Sequence, residues 1–221
     1  MIHLTPRQEM IAGLIRPGQT LADIGTDHAR LPVGLIQRGL IPFAYCTDVR
    51  QGPLNNARST IEQCGVSDKT KLVLCDGFSG LIFADVHDFV VAGMGGVLTV
   101  ELFSAAPWLK DIRNHFVLQP QSHMEEVRRY LWESGYNIVR ETATLDHHRP
   151  YTALEVTFTG DAKSFTLSDC YIGQMRDIPD ASLRTRFFVS LSHYLQDQIQ
   201  GRPDNVSELE EVLQQVKEYI D

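Results

Sequence analysis

The chain has 221 residues, 43% of them hydrophobic and 22% charged, with a net charge of −8. Those totals fit a folded globular chain with one ordinary core and a smaller appendage, and exclude a disordered one. No run reaches the roughly 20 apolar residues of a membrane span, and the acidic balance excludes wholesale coating by nucleic acid.

The N-terminal MIHLTPRQEM lacks the basic-then-apolar layout of a signal peptide. Thr5-Pro6 opens a helix, a capping hydroxyl followed by proline, and Met10, Ile11, Leu14 and Ile15 mark its apolar face. Apolar runs near 20–24, 43–47, 71–75, 88–92 and 115–119 read as buried strands. Helices are expected between them at about 29–40, 53–64, 97–107 and 122–133. Strand followed by helix at this rhythm predicts βαβ crossovers and a parallel sheet. YNIVRETATL (136–145) and YTALEVTF (151–158) are separated only by DHHRP, too short for a crossover helix. That pair is expected to be antiparallel, giving seven strands with one reversed. After Gly160 the composition shifts. Leu183, Phe187, Leu191, Leu195 and Ile199 fall at helical spacing, GRPDN (201–205) breaks the pattern with Asn205 as a cap, and Leu209, Val212, Val216 and Ile220 form a second stripe. The expected organisation is an α/β unit over 1–160 and a helical hairpin over 161–221.

Charge and cysteine usage narrow the chemistry. Residues 1–160 carry 14 basic against 17 acidic side chains, and 161–221 carry 6 against 11, so a polyanionic partner needs a local patch on the first part. Cys46, Cys64, Cys75 and Cys170 are scattered without a C-x-x-C pair. This predicts reduced thiols in a cytoplasmic protein and no metal site.

The stretch LADIGTDHARLP (21–32) has the strand-to-helix turn of a nucleotide fold but not Gly-x-Gly-x-x-Gly. Those glycines serve a pyrophosphate at a helix N-terminus. A ligand without phosphates has no such need, and carboxylates at Asp23 and Asp27 suit an ammonium instead. S-adenosylmethionine is such a ligand. Asp48 follows Gly25 at the distance of a ribose-binding carboxylate. Asp76-Gly77 suits an adenine amino group, and AGMGG (92–96) clears side chains where cofactor and acceptor meet. Neither Asn/Asp-Pro-Pro-Tyr/Phe nor a Pro-Cys nucleophile is present at that strand end, which argues against exocyclic amino methylation and cytosine C5 methylation of DNA.

ADIGTDHARLP, CDG, VAGMGG and LQPQSH (118–123) together resemble the bacterial tRNA adenine-22 N1-methyltransferase family. The resemblance covers nearly the whole chain. It implies a class I methyltransferase domain with a seven-stranded Rossmann-like sheet, followed by a coiled-coil-like helical domain. It also implies S-adenosylmethionine as cofactor and tRNA as partner. Asp27 is the candidate catalytic residue, orienting the amine of the target adenine and offsetting the positive charge that grows on the base. Expected at the cofactor are Asp23, Gly25, Thr26, His28, Asp48, Val49, Asp76, Gly77, Gly93 and Met94. On the acceptor side the expected residues are Arg30, Gly95, Gln119, Pro120 and His123. Arg30 stands where the family commonly has an aromatic residue, and DHHRPYTALEV (146–156) is unusually rich in histidine and proline. A target adenine inside folded tRNA must be flipped out to be reached. A monomer is expected, with pairing through the C-terminal helices open. The rival readings are a methyltransferase for a small metabolite and a non-catalytic adenosine-ligand or RNA-binding module; NAD-dependent chemistry ranks last.

Overall fold

The computed structural model describes residues 1–81, 85–201 and 206–220. Helix α1 (Pro6–Ala12) opens with a full capping box, in which Thr5 accepts from the Gln8 backbone and Gln8 reaches back to Thr5. Such a cap contributes on the order of 1 kcal/mol. The strands are β1 (Leu21–Ile24), β2 (Ala44–Asp48), β3 (Thr70–Leu74), β4 (Asp88–Ala92), β5 (His115–Gln119), β6 (Tyr136–Asp146) and β7 (Arg149–Phe158). Between the first five lie α2 (Arg30–Gln37), α3 (Gln51–Gln63) and α4 (Gly96–Ser104), and α5 (Met124–Glu133) precedes β6.

One sheet holds all seven strands in the order β3-β2-β1-β4-β5-β7-β6. The first five are parallel, and β7 runs antiparallel to both neighbours. The expected sheet with one reversed strand is therefore present. Its order reverses between β1 and β4, so a crevice opens at the carboxyl ends of those strands.

Strand alternation sends successive side chains to opposite faces. Leu21, Val90, Val117 and Ala153 join the core under α1 to α3. Ile24, Phe89, Val91, Phe116, Leu118 and Val156 join the core under α4 and α5, where Phe103 and Phe116 approach to 5.0 Å. At the amino-terminal edge of the sheet, Arg16 forks onto buried Asp88 (2.8 and 2.7 Å), and His115 lies 3.3 Å from the same carboxylate. Burial pushes the Asp88 carboxyl up, but the bonds from His115 and Arg16 outweigh it and hold its pKa below the usual value. This polar cluster sits at the far end of the strands from the crevice and holds the fold.

The link between β6 and β7 is tighter than the sequence predicts. Asp146 pairs with Arg149, leaving only His147 and His148 in the turn, both left-handed at φ 46° and 66°. Two-residue hairpins need that conformation because it matches the strand twist, although non-glycine residues adopt it at a cost.

The tail is more than the expected hairpin. Helix α6 (Leu167–Ile172) and a 3₁₀ turn (Gly173–Asp177) precede the long α7 (Ala181–Gly201) and α8 (Val206–Lys217). Phe188 and Leu195 are the deepest apolar residues of α7, one position off the expected stripe at Phe187. Phe188 stacks on Tyr219 at 4.5 Å. Residues 202–205, with the expected Asn205 cap, lie outside the described residues.

Arg128 on α5 ties this tail to the sheet. It is fully buried, donates from Nε and Nη2 to both oxygens of Glu141 on β6 (2.8 Å each), and from Nη1 to the carbonyls of Cys170 (2.6 Å) and Tyr171 (3.0 Å). The Gln174 backbone N–H donates to the same carboxylate at 3.2 Å. Gly173 passes so close that a Cβ there would lie 2.5 Å from both Arg128 Nε and Glu141 Oε2. Removing one partner leaves the other charge buried and unpaired. The Glu141→Ala protein is therefore expected to lose about 3–5 kcal/mol of stability, read as a lower urea midpoint with the tail and the sheet both affected.

Candidate cofactor and acceptor site

Three of the strands ending at the crevice are each prolonged by one backbone hydrogen bond that aims the loop. Thr26 N–H donates to Thr47 O (2.7 Å), Cys75 N–H to Asp48 O (3.1 Å) and Gly93 N–H to Gln119 O (3.0 Å). The loops after β4 and β5 are joined further, with Gln121 N–H to Met94 O and Gly96 N–H to Ser122 O, both 2.8 Å. Gly96 has no room for a side chain: a Cβ there would collide with the backbone of Ser122 and His123. The AGMGG and QPQSH segments thus form one stitched wall.

On one side of this wall lies a cleft of about 500 Å³. Of the expected cofactor residues, Gly25, Asp48, Val49, Asp76, Gly77, Gly93 and Met94 line it, and Gly95 joins them from the acceptor set. Gly25 (φ 76°) and Gly77 (φ 52°) take left-handed turns, and Met94 lies directly across Gly25. Asp48 is held in place by the Arg50 backbone N–H at 2.8 Å. Val49 and Leu98 are exposed apolar side chains on the cleft walls, 61% and 44% accessible. The sequence reading missed Thr47, Arg50, Leu98 and Leu102. For the two leucines a signal existed: α4 is apolar all round, and a surface helix of that kind has a face that something must cover.

Two expected cofactor residues lie beneath the cleft. Asp23 and Thr26 are buried under the Gly25 turn. Asp23 points to the α1–α3 side of the sheet, in register with Cys46. Burial pushes its carboxyl up to about 6, offset in part by the adjacent Thr26. Across the sheet, on the α4–α5 side, the buried Thr47 hydroxyl has no hydrogen-bond partner among the described residues. A buried carboxylate held by the Thr26 side chain alone fits a cationic, hydrogen-bonding ligand group and repels a pyrophosphate.

The remaining candidates face elsewhere. Asp27 and His28 stand outward, with 3.3 Å between His28 Nε2 and Asp27 Oδ2, and neither lines the cleft. Arg30 opens α2 and donates to the His3 carbonyl at 3.0 Å. Gln119 is closed off, its amide donating to Pro120 O while its own oxygen is unpaired. Pro120 and His123 line a second cavity of about 460 Å³ on the other side of the stitched wall. His123 takes a left-handed φ of 51° there. Among the described residues no three His, Cys, Asp or Glu side chains gather as metal ligands, and no helix is long and apolar enough to cross a membrane.

A family model described as a methyltransferase domain matches residues 4–154. The chain belongs to that family. Within it, the tRNA (adenine(22)-N(1))-methyltransferase of Bacillus subtilis (strain 168) is 26% identical over 160 residues, covering 72% of this chain and 67% of that relative. Across the three curated relatives it matches, the aligned segments span 60 to 67% of their length. Solved structures match the whole chain, helical tail included. One from Streptococcus agalactiae, described as a protein in the NADB-Rossmann superfamily, has a TM-score of 0.86 at 25% identity, covering 99% of this chain and 98% of that one. The B. subtilis M1A22 tRNA methyltransferase TrmK superposes at 0.85 with 22% identity over the full length of both chains. This methyltransferase domain therefore carries its tail as part of a shared fold.

Two measurements check the site. Gly96→Ala forces the stitched loops apart and is expected to cost about 1–3 kcal/mol, with ligand binding in the cleft weakened as well. For Asp23 the folded protein keeps a proton that the unfolded chain has lost between pH 3.8 and about 6. Stability therefore falls as pH rises through that window and stays lower above it. Asp23→Asn removes the penalty: it is expected to raise the melting temperature at pH 8, by up to about 3 kcal/mol in stability, and to change little near pH 4.

Proposed function

We propose that this methyltransferase transfers the methyl group of S-adenosylmethionine to N1 of an adenine in tRNA, at the position numbered 22 in its B. subtilis relative. The observation that carries the cofactor assignment is the cleft itself, which has carboxylates at the strand ends, a buried Asp23 beneath the turn, and no glycine cradle for phosphate. The cofactor supplies an electrophilic methyl on a sulfonium. Asp23 and the Thr26 hydroxyl answer the ammonium of its methionine portion, Asp48 accepts from the ribose hydroxyls, and Asp76 accepts from the adenine amine. Val49 and Leu98 close on the two faces of that adenine and exclude water. Gly93 and Gly95 keep the wall low where the acceptor ring approaches.

Asp27 is the acceptor-side carboxylate. Its 69% exposure leaves it accessible to a flipped base, and His28 at 3.3 Å steadies it from the side. In that role it accepts from the exocyclic amine, presents the N1 lone pair to the methyl carbon, and offsets the charge that appears on the alkylated ring. The working site is a monomer's, in the cytoplasm, where the four free thiols stay reduced. A small-metabolite acceptor is the second reading, favoured by the net charge of −8.

The deciding assay follows labelled methyl from S-adenosylmethionine into unmodified tRNA transcripts, with the product base mapped by mass spectrometry. Methylation at one adenine is expected, lost when that adenine is replaced by guanine and reduced about 100-fold or more in Asp27→Ala, within the range for a positioned catalytic group. Cofactor binding in calorimetry without transfer to any tRNA would overturn the tRNA assignment and leave the metabolite reading.

A further inference from the structure

The second cavity has no part in the chemistry assigned above, yet it is built like a ligand site. At about 460 Å³ it falls within the range of small-molecule pockets, roughly 300–1,000 Å³. Four separate stretches meet there: the loop after β5 running into α5, the start of β7, Tyr171 of α6, and one face of α7. Tyr151 and Phe187 supply aromatic surface, and Arg149 supplies a guanidinium that has no ion-pair partner among the described residues. Arg7 lies over the Tyr151 ring at 5.4 Å, which brings a second guanidinium to the rim. Arg186 is exposed one turn before Ser190 on α7, about 40° from the face that lines the cavity.

The floor is rigid and polar. Buried Glu125 accepts from Tyr194 Oη at 2.8 Å, His123 Nδ1 sits 3.3 Å from the same carboxylate, and Gln198 donates to Tyr194 Oη at 2.7 Å. This network joins α7 to the loop after β5, so the cavity is held open between fixed elements. Its position matters as much as its lining. The stitched wall of Gly93–Gly96 and Gln121–His123 separates it from the cofactor cleft by one layer of backbone; a Cβ on Gly95 would lie 3.3 Å from Ser122 Oγ. The two cavities thus flank one wall, and a strand that places an adenine in the cleft has the second cavity within a nucleotide's reach across it.

Aromatic faces for bases and arginines for phosphates are the two components of sequence-tolerant single-strand binding. We propose that the cavity is a second nucleotide subsite, which takes the nucleotide next to the methylated adenine, its base against Phe187 and its phosphate on Arg149. The inference rests on the tRNA reading above. It also gives an acidic protein a local means of holding a polyanion: the needed positive charge is concentrated at the cavity rim while the rest of the surface stays repulsive.

The test uses the full chain and two variants on exposed positions. Ser190→Trp fills the cavity from α7, and Arg149→Gln removes the phosphate contact without touching the core. Three quantities are measured: cofactor affinity by calorimetry, tRNA affinity by fluorescence anisotropy without cofactor, and KM for tRNA in methyl transfer. Ser190→Trp is expected to weaken tRNA binding and raise KM by about 10-fold or more, with cofactor affinity within about twofold of the parent. Arg149→Gln is expected to reduce the slope of log affinity against log salt by about 0.7 to 0.9. Unchanged tRNA affinity in both variants overturns the subsite, as does a parent protein that binds no tRNA. Binding that is lost in Ser190→Trp, in a parent that methylates no tRNA, retains the subsite and overturns the catalytic reading instead.

Discussion

The buried pair between Arg128 and Glu141 is the constraint on which the arrangement of this molecule turns. A guanidinium with no access to water must satisfy its donors internally, and this one does so with a carboxylate from β6 and two carbonyls from α6. The carbonyls belong to the last residues of a short helix, where unsatisfied acceptors and the negative end of the helix dipole attract a cation. One side chain thereby settles three distances at once: α5 to the sheet, α6 to α5, and the tail to both. Because α5 begins at the loop that forms the stitched wall, the same residue also fixes where that wall stands.

Most of the fold was legible because its signals are local. Seven strands, four of the interstrand helices and the antiparallel pair follow from apolar runs and loop lengths, and the observed bounds differ by a few residues. The short α6 was passed over, although Thr166 and Asp169 form a capping box that the sequence spells out; six residues carry too little periodicity for the apolar pattern to register. The turn of β6 into β7 was read too long because two histidines adopt left-handed angles that their residue type does not advertise.

The site divides along the same line. Gly25, Asp48, Asp76 and Gly77 were readable because a chain crossing the sheet in βα steps must deliver each strand end to one crevice. Asp23 was recognised as important, but its burial under the turn depends on strand alternation against Cys46, which one residue of register would reverse. Of the second cavity the sequence flagged only Pro120 and His123, as acceptor-side residues, and not the cavity itself. Its walls come from residues near 120, 150 and 190, and only the tertiary docking of α7 brings them together. Helical spacing places Phe187 in the apolar stripe of α7, but the stripe centres one residue further on, at Phe188, which leaves Phe187 half-buried at the cavity wall.

The docked tail also orders events in time. Helices α6 to α8 follow the whole sheet in the chain, so on the ribosome they emerge after β1 to β7 have been made, and domains that fold during synthesis do so from the amino end. The strand ends that line the cleft leave the ribosome before α7 does. The cavity behind the stitched wall is finished only when Arg128 receives the carbonyls of α6 and α7 swings into place. The residues of the cleft are thus laid down along the chain before the α7 wall of the second cavity.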